Sequence, residues 1–415
     1  MTHFRKEFPT ASSVRSLGSV AVRGAVACAL SISFAGVALA DNDDTVDFFA
    51  SHTFRFDNNL FRLPDGVNPN IAGKTSRDEW FQVSSLGFNI HKPYSLQRFE
   101  LRASLNSYRY DTYTFLNFES VNYRAAWLWQ LTPEFTGTLS SERNRTPAGF
   151  ADYRSFANRN VITNEVQNLD ARWRVFGGVF LSGALTKSVS SNSQGFVEQP
   201  SYSSDAVRIG AGYLFPSGST IEVGQSVNSA NLPGTTLNTL TQTDNKYEAR
   251  ETELKLLWNL SGRSSLNGRL RHVSRTYSTF ASRDYARNVG SLVWSWAISG
   301  KLNLDVGYLQ DVDAWTARNA SYRVSKRVYV APVWSVGAKT YLSAQLSKST
   351  GDFLGPIAPV AMRNDKYQSL AGTVEWRPLR SLSISAIIQK DQRDSNTLGQ
   401  QFKANSAGIT ARVQF

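Results

Sequence analysis

From Phe402 to Phe415 the chain alternates without a break. Ala407, Ile409, Ala411, Val413 and Phe415 share one face, and Ser406, Gly408, Thr410, Arg412 and Gln414 share the other. A period of two marks a β-strand whose two faces meet different surroundings. The pattern recurs upstream. Leu254, Leu256, Trp258 and Leu260 oppose Glu251, Glu253, Lys255 and Asn259, and Phe99, Leu101, Ala103 and Leu105 oppose Arg98, Glu100, Arg102 and Ser104. Leu302, Leu304, Val306 and Tyr308 oppose Asn303, Asp305 and Gly307, while Leu382, Ile384, Ala386 and Ile388 oppose Ser383, Ser385 and Gln389.

Turn signals divide these runs with a second rhythm. Tight ones fall at His91-Lys92-Pro93, Thr132-Pro133-Glu134, Gly177-Gly178, Pro216-Ser217-Gly218, Ser261-Gly262-Arg263, Ser299-Gly300-Lys301, Gly337-Ala338-Lys339 and Pro378-Leu379-Arg380. Longer polar stretches alternate with them: Asp57 to Lys74, Asn144 to Asn160, Ser191 to Ser201, Asn228 to Asn245, Thr350 to Asp365 and Asp391 to Gln401. Short turns on one side and long loops on the other are the habit of transmembrane barrels. Eight tight turns predict nine hairpins, an all-β, antiparallel, up-and-down transmembrane β-barrel of about 18 strands with both termini periplasmic. One hairpin missed or invented would give about 16 or 20.

Tryptophan placement separates this from a soluble sandwich, which would also alternate. Trp127, Trp129, Trp173, Trp258, Trp294, Trp296, Trp334 and Trp376 all lie shortly before a tight turn. An indole settles where acyl chains meet headgroups, so a ring of Trp at one height reads as a membrane girdle. The alternative is that Trp is simply frequent in strands.

The first 40 residues read as a secretory signal peptide and the remaining 41–415 as the barrel. Arg5, Lys6, Arg15 and Arg23 precede the apolar run Gly24 to Val37, and Ala38-Leu39-Ala40 offers a small-x-small cleavage site. The run is too short to span a bilayer as a helix. Cys28, the only cysteine, would leave with it, so thiol chemistry, disulfides and lipid anchoring at cysteine are not expected. Losing Arg5, Lys6, Arg15, Arg23 and Glu7 lowers the formal charge from +12 to +9. Secretion argues against nucleic acid as the partner of that charge. Outer-membrane lipid, lipopolysaccharide, an anionic polysaccharide or a small anionic solute fit better. No Gly-rich phosphate loop opens a helix, no Cys/His cluster suggests a metal, and no cofactor is expected.

Alternation assigns the lumenal face Arg98, Arg102, Arg124, Arg172, Arg174, Arg208, Lys255, Arg269, Arg271, Arg323, Arg327 and Arg377, among carboxylates such as Glu100, Asp170, Glu222, Glu251, Glu253, Asp305 and Glu375. Two readings compete. The cations form an electropositive pore that eases anion entry, or they form cross-strand ion pairs that stiffen the wall. A third class is an enzyme. His272-Val273-Ser274 puts an imidazole and a hydroxyl on one face, near Asp284 or Asn288, as some outer-membrane lipid hydrolases do. His52 and His91 have no comparable partner, and the reading remains a conduit, not an enzyme. Loops such as Asn144 to Asn160 could constrict the bore, and Tyr108, Tyr110 and Tyr341 are candidates for stacking sugars inside it.

Two segments resemble known proteins. The terminal Phe415 resembles the C-terminal signature of bacterial outer-membrane barrels. Phe54-Arg55-Phe56-Asp57-Asn58-Asn59-Leu60-Phe61-Arg62-Leu63-Pro64 resembles the aspartate-asparagine-x-leucine/phenylalanine-arginine segment near the start of EpsL-type exopolysaccharide-biosynthesis outer-membrane proteins. The resemblance implies a channel that carries exopolysaccharide through the outer membrane, with periplasmic export components as further partners. For Asp57, Asn58, Asn59, Leu60, Phe61 and Arg62 themselves, a sugar contact competes with a structural latch on the first hairpin.

Overall fold

The computed structural model describes residues 45–152, 158–195, 200–317, 319–357 and 361–415. The leader, with its cleavage site and Cys28, lies outside them. Eighteen strands follow in order. They are β1 (Val46–Asp57), β2 (Glu79–Tyr94), β3 (Gln97–Tyr110), β4 (Phe118–Gln130), β5 (Phe135–Pro147), β6 (Val161–Phe176), β7 (Val179–Asn192), β8 (Tyr202–Leu214) and β9 (Thr220–Asn231). The second half holds β10 (Lys246–Ser261), β11 (Ser264–Tyr277), β12 (Tyr285–Ala297), β13 (Leu302–Ala317), β14 (Ala320–Ser335), β15 (Thr340–Leu354), β16 (Asn364–Trp376), β17 (Leu382–Ser395) and β18 (Phe402–Gln414). Each pairs antiparallel with its sequence neighbours. β1 meets β18 from Phe49 opposite Gln414 to Asp57 opposite Ser406, which closes the sheet and leaves no edge.

Seven of the eight tight turns fall where the sequence places them. The first does not. β2 runs through His91, Lys92 and Pro93, and the chain reverses at Ser95-Leu96, with Ser95 at φ +54. Proline is tolerated there because the β1–β2 ladder ends at Val46 opposite Ile90. Past that point β2 has no ladder partner on that side among the described residues, so a missing N–H costs no ladder bond there.

Exposure along the wall is inverted relative to a soluble protein. Phe54, Leu86, Leu105, Leu139, Leu185, Ile209, Leu270, Leu346, Ile388 and Ile409 are all exposed large apolar side chains on the outer face. Buried apolar residues instead gather among the long loops. The largest cluster joins Phe61, Leu63 and Ile71 to Val83, Tyr108, Tyr110, Tyr113, Leu116, Phe118 and Val161. The packed core is thus the folded-in mouth, not the wall.

One stretch leaves the wall. The β12–β13 ladder stops at Gly290 opposite Gln310, although both strands continue beyond it. The tip of the β13–β14 hairpin turns over the bore. Tyr322 and Val324 occupy positions of outward parity, yet both are buried against Tyr285 on the inner face of β12.

Candidate functional site

Lumenal parity holds for the predicted arginines, and it sorts them into two groups. Eight take part in ion pairs. On β6 to β11, Glu222 receives Arg208 at 2.7 Å, with Arg172 at 3.8 Å, and Glu253 receives Arg269 at 2.7 Å and Lys255 at 3.0 Å. Gly224 makes room for this: a Cβ there would meet the Arg208 guanidinium at 2.6 Å. Arg271 bridges Glu251 at 3.1 Å and Asp311 at 2.7 Å. Arg98 lies 2.9 Å from Glu100, Arg377 lies 2.7 Å from Glu375, and Arg323 lies 3.0 Å from Asp313. These pairs stiffen the wall.

The other four form no ion pair among the described residues. Arg174 donates to the Pro133 carbonyl, and Arg327 lies 5.6 Å from the Tyr329 ring. Arg102 sits directly opposite Arg124 in the β3–β4 register. Like charges so placed repel. Arg102 also lies 5.7 Å from the Phe49 ring, and Arg412 lies 4.2 Å from the same ring. Gly87 lets that ring lie against the wall, since a Cβ there would meet it at 2.5 Å. Arg412 and Arg102 therefore form a cationic patch around Phe49 on the short-turn side of the bore, with Arg124 opposite Arg102 and Glu142 opposite Arg124 on its far side.

Across the bore stands a second constellation, which joins parts of the chain far apart in sequence. From the loop after β5, Asp152 Oδ1 accepts from Arg393 Nη1 at 2.7 Å and from Arg363 Nη2 at 3.1 Å, with Arg323 Nη1 3.6 Å from its other oxygen. These arginines belong to β17, the loop before β16 and β14, opposite the root of the Asp152 loop. Arg363 also clasps Asp365, and its guanidinium lies 4.4 Å from the Phe353 ring. Nearer its root the same loop is held by Phe150, whose ring lies 4.8 Å from Phe61. Burial alone would raise the Asp152 carboxyl. Arg323, Arg393 and Arg363 outweigh it and hold the group below the usual carboxylate range. Asp152 is thus pinned across the lumen, within the stretch Asn144 to Asn160 where a constriction is expected.

A third fastening is Arg283, fully buried in the loop after β11. No carboxylate pairs with it among the described residues. Its guanidinium donates to the carbonyls of Thr241 at 2.7 Å, Gln242 at 2.8 Å, Ala317 at 3.1 Å and Ala320 at 3.1 Å. One side chain therefore ties two long loops to the inward hairpin tip. Alternation gives no hint of Asp152, Arg283, Arg363 or Arg393. Only Arg393 lies on a strand face, and the others sit in loops.

The segment from Asp57 to Arg62 is a latch. Asp57 accepts both Arg62 Nη atoms at 2.8 Å and the Asn59 N–H at 2.9 Å, while Arg62 adopts φ +54. Asn59 donates to the carbonyls of Leu63 and Lys403, each at 2.8 Å, and Asn58 Oδ1 accepts the Asn405 N–H at 2.7 Å. Phe61 is fully buried, with Leu60 packed beside it. Of the tyrosines considered for sugar, Tyr108 and Tyr110 are covered by this cluster, and Arg377 lies 4.5 Å from the Tyr341 ring.

On the outside, all eight predicted tryptophans lie near the short-turn ends of β4, β6, β10, β12, β14 and β16. Most are exposed. Trp129 folds flat over Gly137, and Trp294 stacks on Trp296 at 5.2 Å. His272 is exposed with Nδ1 2.7 Å from Asn288 Oδ1, but no hydrogen bond joins it to Ser274. Asp284 instead accepts the Tyr277 N–H at 2.7 Å. His52 does have a partner: its Nδ1 lies 2.9 Å from Ser84 Oγ on the neighbouring strand. The pairing joins two strands, so spacing within one segment does not reveal it.

A closed eighteen-strand barrel, apolar outside and charged within, defines an outer-membrane β-barrel, and the chain sits in the bacterial outer membrane. Among solved structures it is similar in fold to OpdQ of Pseudomonas aeruginosa, with a TM-score of 0.51 and 12% identity over 89% of this chain and 97% of that one. It is also similar to a BenF-like porin from Pseudomonas fluorescens Pf-5, with a TM-score of 0.50 and 14% identity over 90% and 99% of the two chains. No family model and no curated protein sequence matches the chain.

Proposed function

We propose that the chain is a passive diffusion channel of the outer membrane that favours small anionic solutes. The observation that carries this is the pair Arg102 and Arg412 about the Phe49 ring, which faces the bore and forms no ion pair among the described residues, with Arg124 opposite Arg102 and itself facing Glu142 on the next strand. Guanidinium groups left unneutralised lower the entry cost for a carboxylate or phosphate and give it bidentate contacts. The Asp152 loop supports the same reading, because it narrows a bore that would otherwise pass solutes with little discrimination. Nothing in the arrangement calls for chemistry on the solute.

A conduit for exopolysaccharide has less support. It rests on the likeness of Phe54 to Pro64 to the EpsL-type segment, whose side chains here are engaged in the latch. The lumenal tyrosines offer no open stacking track. One experiment separates the readings: single-channel conductance of refolded protein in a planar bilayer, with reversal potential under a salt gradient. An anion-selective current untouched by oligosaccharides of the host polymer supports the solute channel. Block by those fragments would return the polysaccharide reading, and a cation-selective current would refute the role given to the arginines.

A further inference from the structure

The outer wall changes character at the height where its apolar band ends. On β14 to β18 every strand carries one exposed lysine there: Lys326, Lys348, Lys366, Lys390 and Lys403. Each lies on the long-loop side of the last exposed apolar residues of its strand, Val328, Leu346, Leu370, Ile388 and Ile409 respectively. The registers bring them together. Lys326 opposes Thr350, two residues from Lys348; Lys348 opposes Gln368, two from Lys366; and Lys390 opposes Asn405, two from Lys403. Diagonal neighbours of this kind are within reach of long side chains.

Carboxylates are scarce on this face. Three lie near the five lysines: Asp65 is 3.1 Å from Lys403, Asp394, opposite Lys366, accepts the Gln392 amide at 3.2 Å, and Asp352 on β15 accepts the Asn364 amide. Lys326, Lys348, Lys366 and Lys390 form no ion pair among the described residues. Elsewhere round the barrel, outward charges neutralise one another: Arg109 with Glu119 at 2.5 Å, Arg143 with Glu165 at 3.3 Å and Arg250 with Glu248 at 2.7 Å. The lysine row is therefore a one-sided positive arc. Its mutual repulsion is relieved by anions supplied from outside the protein.

Directly beneath the arc lies bare apolar wall. A ligand that satisfies both halves must join more than one phosphate to acyl chains. We infer that the outer face of β14 to β18 binds the phosphorylated head of lipopolysaccharide, with the fatty chains lying on Val328, Leu346, Leu370, Ile388 and Ile409. Lysine suits the task, since its methylene stem runs along acyl chains while the ammonium reaches the headgroup level. The inference rests on the outer-membrane placement and is independent of what the bore passes.

The test titrates purified full-length barrel in detergent with purified lipopolysaccharide and with the same lipid enzymatically stripped of its phosphates. A Lys326→Gln/Lys348→Gln/Lys366→Gln/Lys390→Gln variant is compared with an Arg109→Gln/Arg250→Gln control. Heat-modifiable gel mobility reports folding of each. The expected result is tight, salt-sensitive binding by the wild type, weakened about tenfold or more in the lysine variant and scarcely changed in the control. Removal of the phosphates should weaken wild-type binding to the same degree. Equal binding by the lysine variant, or by the stripped lipid, would overturn the inference. If the fourfold variant does not fold, Lys348→Gln/Lys390→Gln provides the same reading at reduced amplitude. Bilayer conductance of the lysine variant should match the wild type, so a failed channel proposal and a failed lipid site are told apart.

Discussion

Asp152→Asn is the sharpest perturbation available, because it removes a charge while leaving the side chain's shape almost intact. In the wild type that carboxylate holds Arg393 and Arg363 at hydrogen-bonding distance, with Arg323 at 3.6 Å. Hydrogen bonds to charged groups contribute about 1.5–3 kcal/mol each. The bore is wet, Asp152 is partly exposed and an amide oxygen still accepts, so only the charge-assisted share is lost: roughly 1 kcal/mol per bond, about 2 kcal/mol in all and roughly thirtyfold in the docking equilibrium of the loop. The barrel wall should not notice, since its ladders do not involve Asp152. In planar bilayers the variant should show a larger mean conductance with open-state flicker, as the loop swings off the far wall. Selectivity should shift further towards anions, because three guanidinium groups have lost a neutralising charge. Heat-modifiable gel mobility should stay unchanged. A variant with wild-type conductance, quiet open states and unaltered reversal potential would refute the assignment of Asp152 as the pin of the constriction.

Other consequences follow from the same geometry. Replacing Arg102 with Gln should reduce anion selectivity without loss of stability, since it relieves the like charge of Arg124 opposite; retained selectivity in the reversal potential would count against the patch. Lowering pH should leave wild-type conductance steady from neutrality to about pH 4. The Asp152 carboxyl is held below its usual range, so its contribution is complete above the unfolded value and fades only as pH falls through the lower folded one; flicker already present at pH 6 would contradict this. Arg283→Met should free the carbonyls it gathers, at a cost of about 3 kcal/mol or more. Limited proteolysis should then cut the 232–245 and 278–284 loops faster, and an unchanged rate would show that the clamp is idle.

The strands were legible because lipid and lumen impose the same alternation on every one of them. Eighteen strands, the lumenal side of Arg208 and Lys255, and the outward tryptophans all follow from parity. Parity fails where a strand leaves the wall: Tyr322 and Val324 have outward spacing but are buried at the inward hairpin tip. It also misplaces the first turn, because Pro93 reads as a breaker although it stays in β2 opposite Arg98, with no ladder on its other side among the described residues. The constriction was legible only as a loop long enough to enter. That Asp152 meets Arg393, 241 positions away, depends on closure of the barrel and leaves no local trace.

That separation has a consequence for assembly. Asp152 and Arg393 are brought face to face only when the strands between them have paired, and the latch that seats Asn59 on Lys403 requires the first and last strands to meet. Contacts between such distant segments form late, because the loop-closure entropy must be overcome before they can form. The bore is therefore wide while the barrel is being built and narrows as the final seam is sealed. Narrowing is a mark of completion: the contact of Asp152 across the lumen forms only once the strands that carry it are in place.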